Sequence, residues 1–475
     1  MPSSSGASTP PPMSLAELGR AVGRGELSAA DLVQSALSRI AERDGGLNAV
    51  VALRDTEARA EAEALDTYVR GGGMAGLLAG VPFLVKDTQD VAGMRTTHGS
   101  LLFADAPAAA SDDVVVGRLR AAGAIVIGKT NTPEFAIEGF TDNLLFGATR
   151  NPWNPALSSG GSSGGSAAAL AAGMVPLATA TDGGGSSRIP AALCGLVGYK
   201  PTNGVVGRSR APEWIDFQTD GFMATRTEDL RGQLQIAAGP APGDRTAFPG
   251  VLPPGRLPAR MIVAERTDEL GALPAAVARA FADAVEKLAA LLGLRPEWRS
   301  PGSFFGSGSP DRDWFTIASA EHAAALDRAL GDGSAPALHR STAQFLADGR
   351  GVGLSAYVHA RRRTFDYARE MDLLLRDDGV LVTPTLAVAG FFPDGGMSGS
   401  AEPGLLGPEV YSTAVQNVTG LPAISVPAGI LDNGLPFGLQ ITAPRYADRA
   451  LLDTAELWER HYPWPSPAGF SPFQP

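Results

Sequence analysis

The chain has 475 residues, 44% hydrophobic and 19% charged, which is enough apolar content to fold around a sizeable core rather than stay disordered. A formal net charge of −11 sets it against the phosphates of nucleic acid, so no nucleic-acid partner is expected. The single cysteine, Cys194, excludes an internal disulfide framework, and no apolar run approaches the about 20 residues of a membrane-spanning helix, so a cytoplasmic location away from membranes is the expectation.

Taken in chain order, residues 1–12 (MPSSSGASTPPP) lack the basic and apolar regions of a signal peptide and read as a disordered tail. Residues 13–475 are expected to form one domain. SLAELGRAVGRGELSAADLVQSALSRIAERDG reads as two helices; Ser28 and Asp31 begin the second like a capping box, and Leu32, Val33, Ala36 and Ile40 keep helical spacing. GLLAGVPFLVKD is a strand-like run ending at Lys86. SDDVVVGRLRAAG reads as a helix stopping near Gly123, and AIVIGK as a buried strand. Further apolar strands fall at GVLVTPT and LPAISVPAGI, before a closing helix through DRALLDTAELWERHY. Strands alternating with helices put the chain in the α/β class. Residues 207–348 show the weakest periodicity. They read either as ordinary surface helices and loops or as pocket walls, with Trp214, Phe217, Phe304, Phe305 and Trp314 as aromatic candidates.

Three motif matches carry little weight. GAIVIGKT (Gly123–Thr130) fits the phosphate-loop pattern, but its spacer is itself a strand, leaving no loop to wrap a phosphate. GSSGG fits the nucleophile-elbow pattern through Ser163, yet it follows a turn-rich stretch rather than a strand. The five histidines sit in no recognisable motif, although His461 lies late enough in the chain to serve it as a base. Cys194, within AALCGLVG, reads as a buried small hydrophobe. No ligand-spaced His/Cys cluster or dinucleotide fingerprint calls for a metal or cofactor, so none is expected.

The two Gly/Ser bursts, SSGGSSGG (Ser158–Gly165) and TDGGGSSR (Thr181–Arg188), are flanked by apolar, core-like sequence, which rules out a linker. In the second burst, Gly183, Gly184 and Gly185 would let backbone N–H groups converge on a developing oxyanion beside Ser186. A serine without a placed histidine needs another base, and a lysine kept neutral by burial is the main alternative. Lys86, ending an apolar run, fits; Asp87 would point to the other face of the strand.

With these features in place the sequence resembles the amidase signature family. The likeness is carried by GVPFLVKD, GKTNTPEFA, FGATRNPWNP and the two Gly/Ser bursts, in that order, and by YSTAVQNVTGLPAISVPAG and GLPFGLQITAP near the C-terminus. It covers residues 29–205 and 380–460, leaving 207–348 as a variable, pocket-lining region. The resemblance implies a large mixed β-sheet covered by helices on both faces. It also implies a triad of Lys86, Ser162 and Ser186, with Ser186 as nucleophile and Ser162, preceded by a cis peptide, as bridge. Glycine at 161 would ease that turn. The N–H groups of Gly183, Gly184, Gly185 and Ser186 would form the oxyanion hole, supported by Ser163, Asp182 and Arg188. The implied activity is hydrolysis of amide C–N bonds in small molecules through an acyl-enzyme, with aryl amides, nylon oligomers or carbamates (a urethanase activity) as candidate substrates. Alternatives are the glutaminase subunit of a tRNA-dependent amidotransferase, or a silent binding protein on the same fold. Ser159 stands where the family commonly has Pro, and Ser187 where it commonly has Ile; Ser187 is expected to be dispensable for activity.

Overall fold

The structure, a computed structural model, describes residues 13–209, 214–267, 272–331, 336–396 and 412–465; the expected tail at 1–12 lies outside the described residues. PFLVK, IVIGKT and LATATD are buried at every position, as strands with cover on both faces must be. They lie side by side in one sheet. In chain order the strands are β1 (Val50–Leu53), β2 (Pro82–Lys86), β3 (Ile125–Thr130), β4 (Leu177–Asp182), β5 (Val197–Lys200), β6 (Thr219–Ala224), β7 (Arg260–Val263), β8 (Pro296–Trp298), β9 (Gly379–Pro384), β10 (Ala423–Ile430) and β11 (Pro436–Thr442). Among the described residues they form an 11-stranded sheet in the order β1-β3-β2-β4-β6-β5-β10-β11-β9-β7-β8. β2 runs parallel to both β3 and β4, and β7 to both β8 and β9, while the remaining pairings are antiparallel. The sheet is therefore mixed, as expected.

Helices cover it. The helix Ala29–Arg43 buries Leu32, Val33, Ala36, Leu37 and Ile40, a stripe at helical spacing. Ser28 caps it by accepting from the Asp31 N–H, while Asp66 accepts from the Ser28 hydroxyl and from the Ala29 and Ala30 N–H groups, so the cap forms without the reciprocal bond of a capping box. Helices Val114–Ala121 and Asp448–His461 form where the sequence suggested them. The phosphate-loop look-alike is β3 itself, with all six of its residues buried. No described helix is long and apolar enough to cross a membrane.

The weakly periodic interval 207–348 holds, among its described residues, four helices, Thr227–Ala237, Ala275–Leu292, Pro310–Leu330 and Arg340–Arg350, besides β6, β7 and β8. The pattern is hidden in Pro310–Leu330 because that helix packs on several neighbours at once. Its Trp314, Ile317, Ala318, Ala323 and Leu326 join Phe135, Phe140, Trp214, Phe217 and Phe345 in a second, aromatic-rich core. Phe304 joins a third cluster with Leu375 and Ile262 near β7 and β9, and Phe305 bridges it to the second core through Tyr367.

Candidate active site

Lys86 ends β2 with its side chain fully buried (0% exposed). Its Nζ donates to Ser162 Oγ at 2.7 Å and to Thr181 Oγ1 at 2.8 Å. β2 adjoins β4 in parallel, and the alternation of β4 puts Thr179 and Thr181 on one face, toward Lys86. Thr179 accepts from the Lys86 backbone N–H (3.0 Å) and donates to Gln89 Oε1 (2.5 Å). The amine thus lies against neutral hydroxyls. Burial pushes its pKa down to about 7, with Asp182 and Asp220 acting in the opposite direction. Asp87 faces away, 3.4 Å from the Lys129 amine on the other side of the sheet.

Ser162 follows a cis peptide from Gly161. A Cβ at Gly161 would lie 2.6 Å from the Phe140 carbonyl oxygen and 2.7 Å from that of Glu138, so glycine is required here for close approach of backbone. Ser163 begins the helix Gly164–Ala171 without a strand before it, and its hydroxyl meets the Thr181 backbone carbonyl at 3.3 Å. The nucleophile-elbow reading thereby lacks its strand. His461, its candidate base, is exposed and bonded to the Leu457 carbonyl. Cys194 is buried, and burial pushes its thiol far above the ordinary range.

Beyond β4, the loop 183–187 leads into the helix Arg188–Cys194. Asp182 and Arg188 are both fully buried and form a two-point pair, with Nη2–Oδ1 at 2.8 Å and Nε–Oδ2 at 3.0 Å. Burial alone would raise the Asp182 carboxyl; the charges of Arg188 and Lys200 and the Ser187 hydroxyl outweigh it and hold the group well below the ordinary carboxylate range. Ser187 Oγ donates to Asp182 Oδ2 at 2.7 Å, turning away from the cavity to brace the loop. Arg188 also reaches Gln416 (3.0 Å), Asn417 (2.7 Å) and Gln440 (2.8 Å).

Of the four N–H groups expected at an oxyanion hole, that of Gly185 is already committed, donating to Asp182 Oδ1 at 2.8 Å. The carboxylate pulls this peptide toward the Arg188 side of the loop. The N–H groups of Gly183, Gly184 and Ser186 donate to no described residue. Ser186, 8% exposed, opens onto a cavity of about 20 Å³, room for a water molecule. Ser162, Thr181 and Gly183 share that cavity, with Thr88, His98, Phe135, Trp214, Gln218 and His322 around it. Ser162 and Ser186 are brought together here without a hydrogen bond between their hydroxyls. Two buried polar atoms on the wall, Thr88 Oγ1 and Trp214 Nε1, bond to no described residue. Among the described residues no group of three or more His, Cys, Asp or Glu could hold a metal.

Sequence reasoning missed Thr181 and Thr179, although the Thr-Ala-Thr alternation of β4 was a usable signal. It also missed Gln416, Asn417 and Gln440 as partners of Arg188, for which nothing local gave notice.

A family model described as Amidase matches residues 31–452. The chain is 33% identical to an acylamidase of Rhodococcus erythropolis, covering 95% of this chain and 96% of that one. It is 31% identical to a glutamyl-tRNA(Gln) amidotransferase component of Alkaliphilus metalliredigens, over 90% and 91%. The solved structure of a bacterial aryl acylamidase of the amidase signature family superposes with a TM-score of 0.86 at 27% identity, covering 96% of this chain and 98% of that one. Family match, near-complete coverage and shared architecture agree: the chain belongs to the amidase signature family and is a hydrolase of carbon–nitrogen bonds.

Proposed function

We propose that the chain is a serine amidohydrolase in which Lys86 is the base, Ser162 the proton relay and Ser186 the nucleophile. The observation that carries this reading is the setting of the Lys86 amine, buried, bonded to two hydroxyls and lowered to about 7, so that a large neutral fraction exists at physiological pH. Neutral Lys86 takes the Ser162 proton while Ser162 takes that of Ser186, the two hydroxyls closing to hydrogen-bond distance around substrate. Ser186 Oγ bonds to the amide carbonyl carbon, and the oxyanion is held by the N–H groups of Gly183, Gly184 and Ser186. The C–N bond then breaks as Ser162 hands its proton to the leaving amine. Water, activated through the same relay, releases the acid from the acyl-enzyme. Asp182, Arg188, Ser187 and Ser163 keep the loop in shape.

Small-molecule aryl amides are the first substrate class, with aryl carbamates second. The aromatic wall of Phe135, Trp214 and the imidazoles of His98 and His322 favours a flat group, and Thr88 Oγ1 and Trp214 Nε1 offer it unused polar contacts. The names of the acylamidase and aryl acylamidase relatives point the same way. Treatment with a fluorophosphonate probe followed by peptide mapping tests the triad: label is expected on Ser186 and absent in Lys86→Ala, and label on Ser163 would overturn it. Competition of labelling by anilides and by aryl carbamates then ranks the two classes. A second reading, a glutaminase component, is favoured by the amidotransferase relative; glutamine hydrolysis that appears only with partner proteins would establish it.

A further inference from the structure

A peptide group is planar and trans, so holding its carbonyl on one side aims the following N–H to the other. Around the nucleophile loop, each carbonyl from Asp182 to Gly185 is held by a donor of its own. Asn417 Nδ2 donates to the Asp182 carbonyl at 2.9 Å, which orients the Gly183 N–H. Trp314 Nε1 donates to the Gly183 carbonyl at 2.8 Å, which orients the Gly184 N–H. Thr413 Oγ1 donates to the Gly184 carbonyl at 2.6 Å, and the Gly185 N–H accordingly meets Asp182 on the other side. The Ile189 N–H donates to the Gly185 carbonyl at 2.7 Å, which orients the Ser186 N–H.

Three of these four donors come from the loop's own helix or from the C-terminal segment that the sequence likeness covers. Trp314 does not. It projects from the helix Pro310–Leu330, inside the interval the likeness leaves out, and is 2% exposed. Its indole lies directly on Gly184, where a Cβ would stand 2.7 Å from Trp314 Cζ2, while a Cβ at Gly183 would stand 2.1 Å from Trp214 Cε3. The two indoles meet edge to face, with centroids 5.5 Å apart. Trp214 also lines the cavity, whereas Trp314 is not among its walls. Trp314 therefore stands behind the loop, on the carbonyl side.

We propose that Trp314 is a positioning residue for the oxyanion hole, its indole N–H fixing the Gly183–Gly184 peptide so that the Gly184 N–H faces the developing anion. The helix Pro310–Leu330, which lies between the motif segments in the chain, thus sets the shape of the chemical centre they form. The inference rests on the proposed role of Ser186 and its neighbouring N–H groups.

The test needs no substrate. In reaction with a fluorophosphonate, Ser186 Oγ bonds to phosphorus, fluoride leaves, the serine proton passes to the base, and the phosphoryl oxygen gains charge in the hole. Trp314→Phe keeps an aromatic ring on the loop and deletes the donor together with part of the indole's volume. We expect the maximal inactivation rate to fall about 10-fold, less than the 10²–10³-fold typical of deleting an oxyanion donor outright, while the probe concentration for half-maximal rate is unchanged. A lost wall contact would instead raise that concentration and leave the maximal rate intact, which overturns the proposal, as does an unchanged rate. If Trp314→Phe has no cooperative melting transition, replacement of Trp314 by 3-benzothienylalanine, which keeps both rings and lacks the N–H, tests the same bond to the Gly183 carbonyl, and an unchanged maximal rate there overturns the proposal. Absence of label on Ser186 in the parent protein refutes the underlying triad; label on Ser186 with no effect of either variant refutes this inference alone.

Discussion

The two faces of β2 and β3 bury a lysine each, and they treat it in opposite ways. Lys129 lies opposite Val85 in the parallel register, one residue out of step with Lys86, so the two side chains leave opposite faces of the sheet. Lys129 Nζ meets the Asp87 carboxylate at 3.4 Å, the Gln89 carbonyl at 2.7 Å and Thr96 Oγ1 at 3.1 Å. Burial lowers its pKa, but Asp87 supports the charge and the amine has the surroundings of a structural cation. Lys86 has two hydroxyls and no carboxylate in contact, the setting that suits its proposed role as base. Burial lowers both amines; what separates them is the carboxylate in contact with Lys129 and the hydroxyls in contact with Lys86.

Removing each amine in turn separates the two roles. Lys86→Met should cost on the order of 10²–10⁴ in acylation rate while leaving the melting temperature equal or higher, since a buried amine is removed without stranding a charge. A variant that kept a tenth of the parent rate would remove the lysine from the mechanism. Lys129→Met should do the reverse. Leaving Asp87 buried without its cation should cost about 3–5 kcal/mol in denaturant unfolding, with the labelling rate per folded molecule close to that of the parent. Ser187→Ala should lose about 1 kcal/mol of stability through one hydrogen bond to Asp182 and retain label on Ser186; a loss as deep as that of Ser186→Ala would make Ser187 the nucleophile.

The smallest effect is read by titration. If neutral Lys86 is required, the acylation rate should fall as pH drops through about 7, as the amine takes up its proton. Asp220 lies opposite Thr181 on the neighbouring strand and favours the protonated amine, so Asp220→Asn should move that limb to lower pH. Movement to higher pH would count against this electrostatic account.

Much of this is legible in the chain. β2, β3, β9 and β10 are continuous apolar runs, and Lys86, Ser162 and Ser186 stand in motifs whose order and spacing carry the family resemblance. β6 escapes notice because TDGFMA contains a glycine and only two large apolar residues, and β8 because it is three residues long and partly exposed. Trp314 stands out as an aromatic, but its bond to Gly183 spans 131 positions, and no local pattern announces such a partner. Gly185 illustrates the converse: composition offers it as an anion donor, and only the Asp182 carboxylate, folded back within the same loop, removes it from that role.

The Arg188 brace also governs when the site can exist during biosynthesis. The guanidinium that supports the nucleophile loop is held by Gln416, Asn417 and Gln440, residues made 228 to 252 positions later. Until the ribosome has released that part of the chain, Arg188 and Asp182 lack those three partners, and the burial that gives them their strength cannot be complete. The nascent chain therefore carries Lys86, Ser162 and Ser186 well before the residues that complete the brace of their loop have been made.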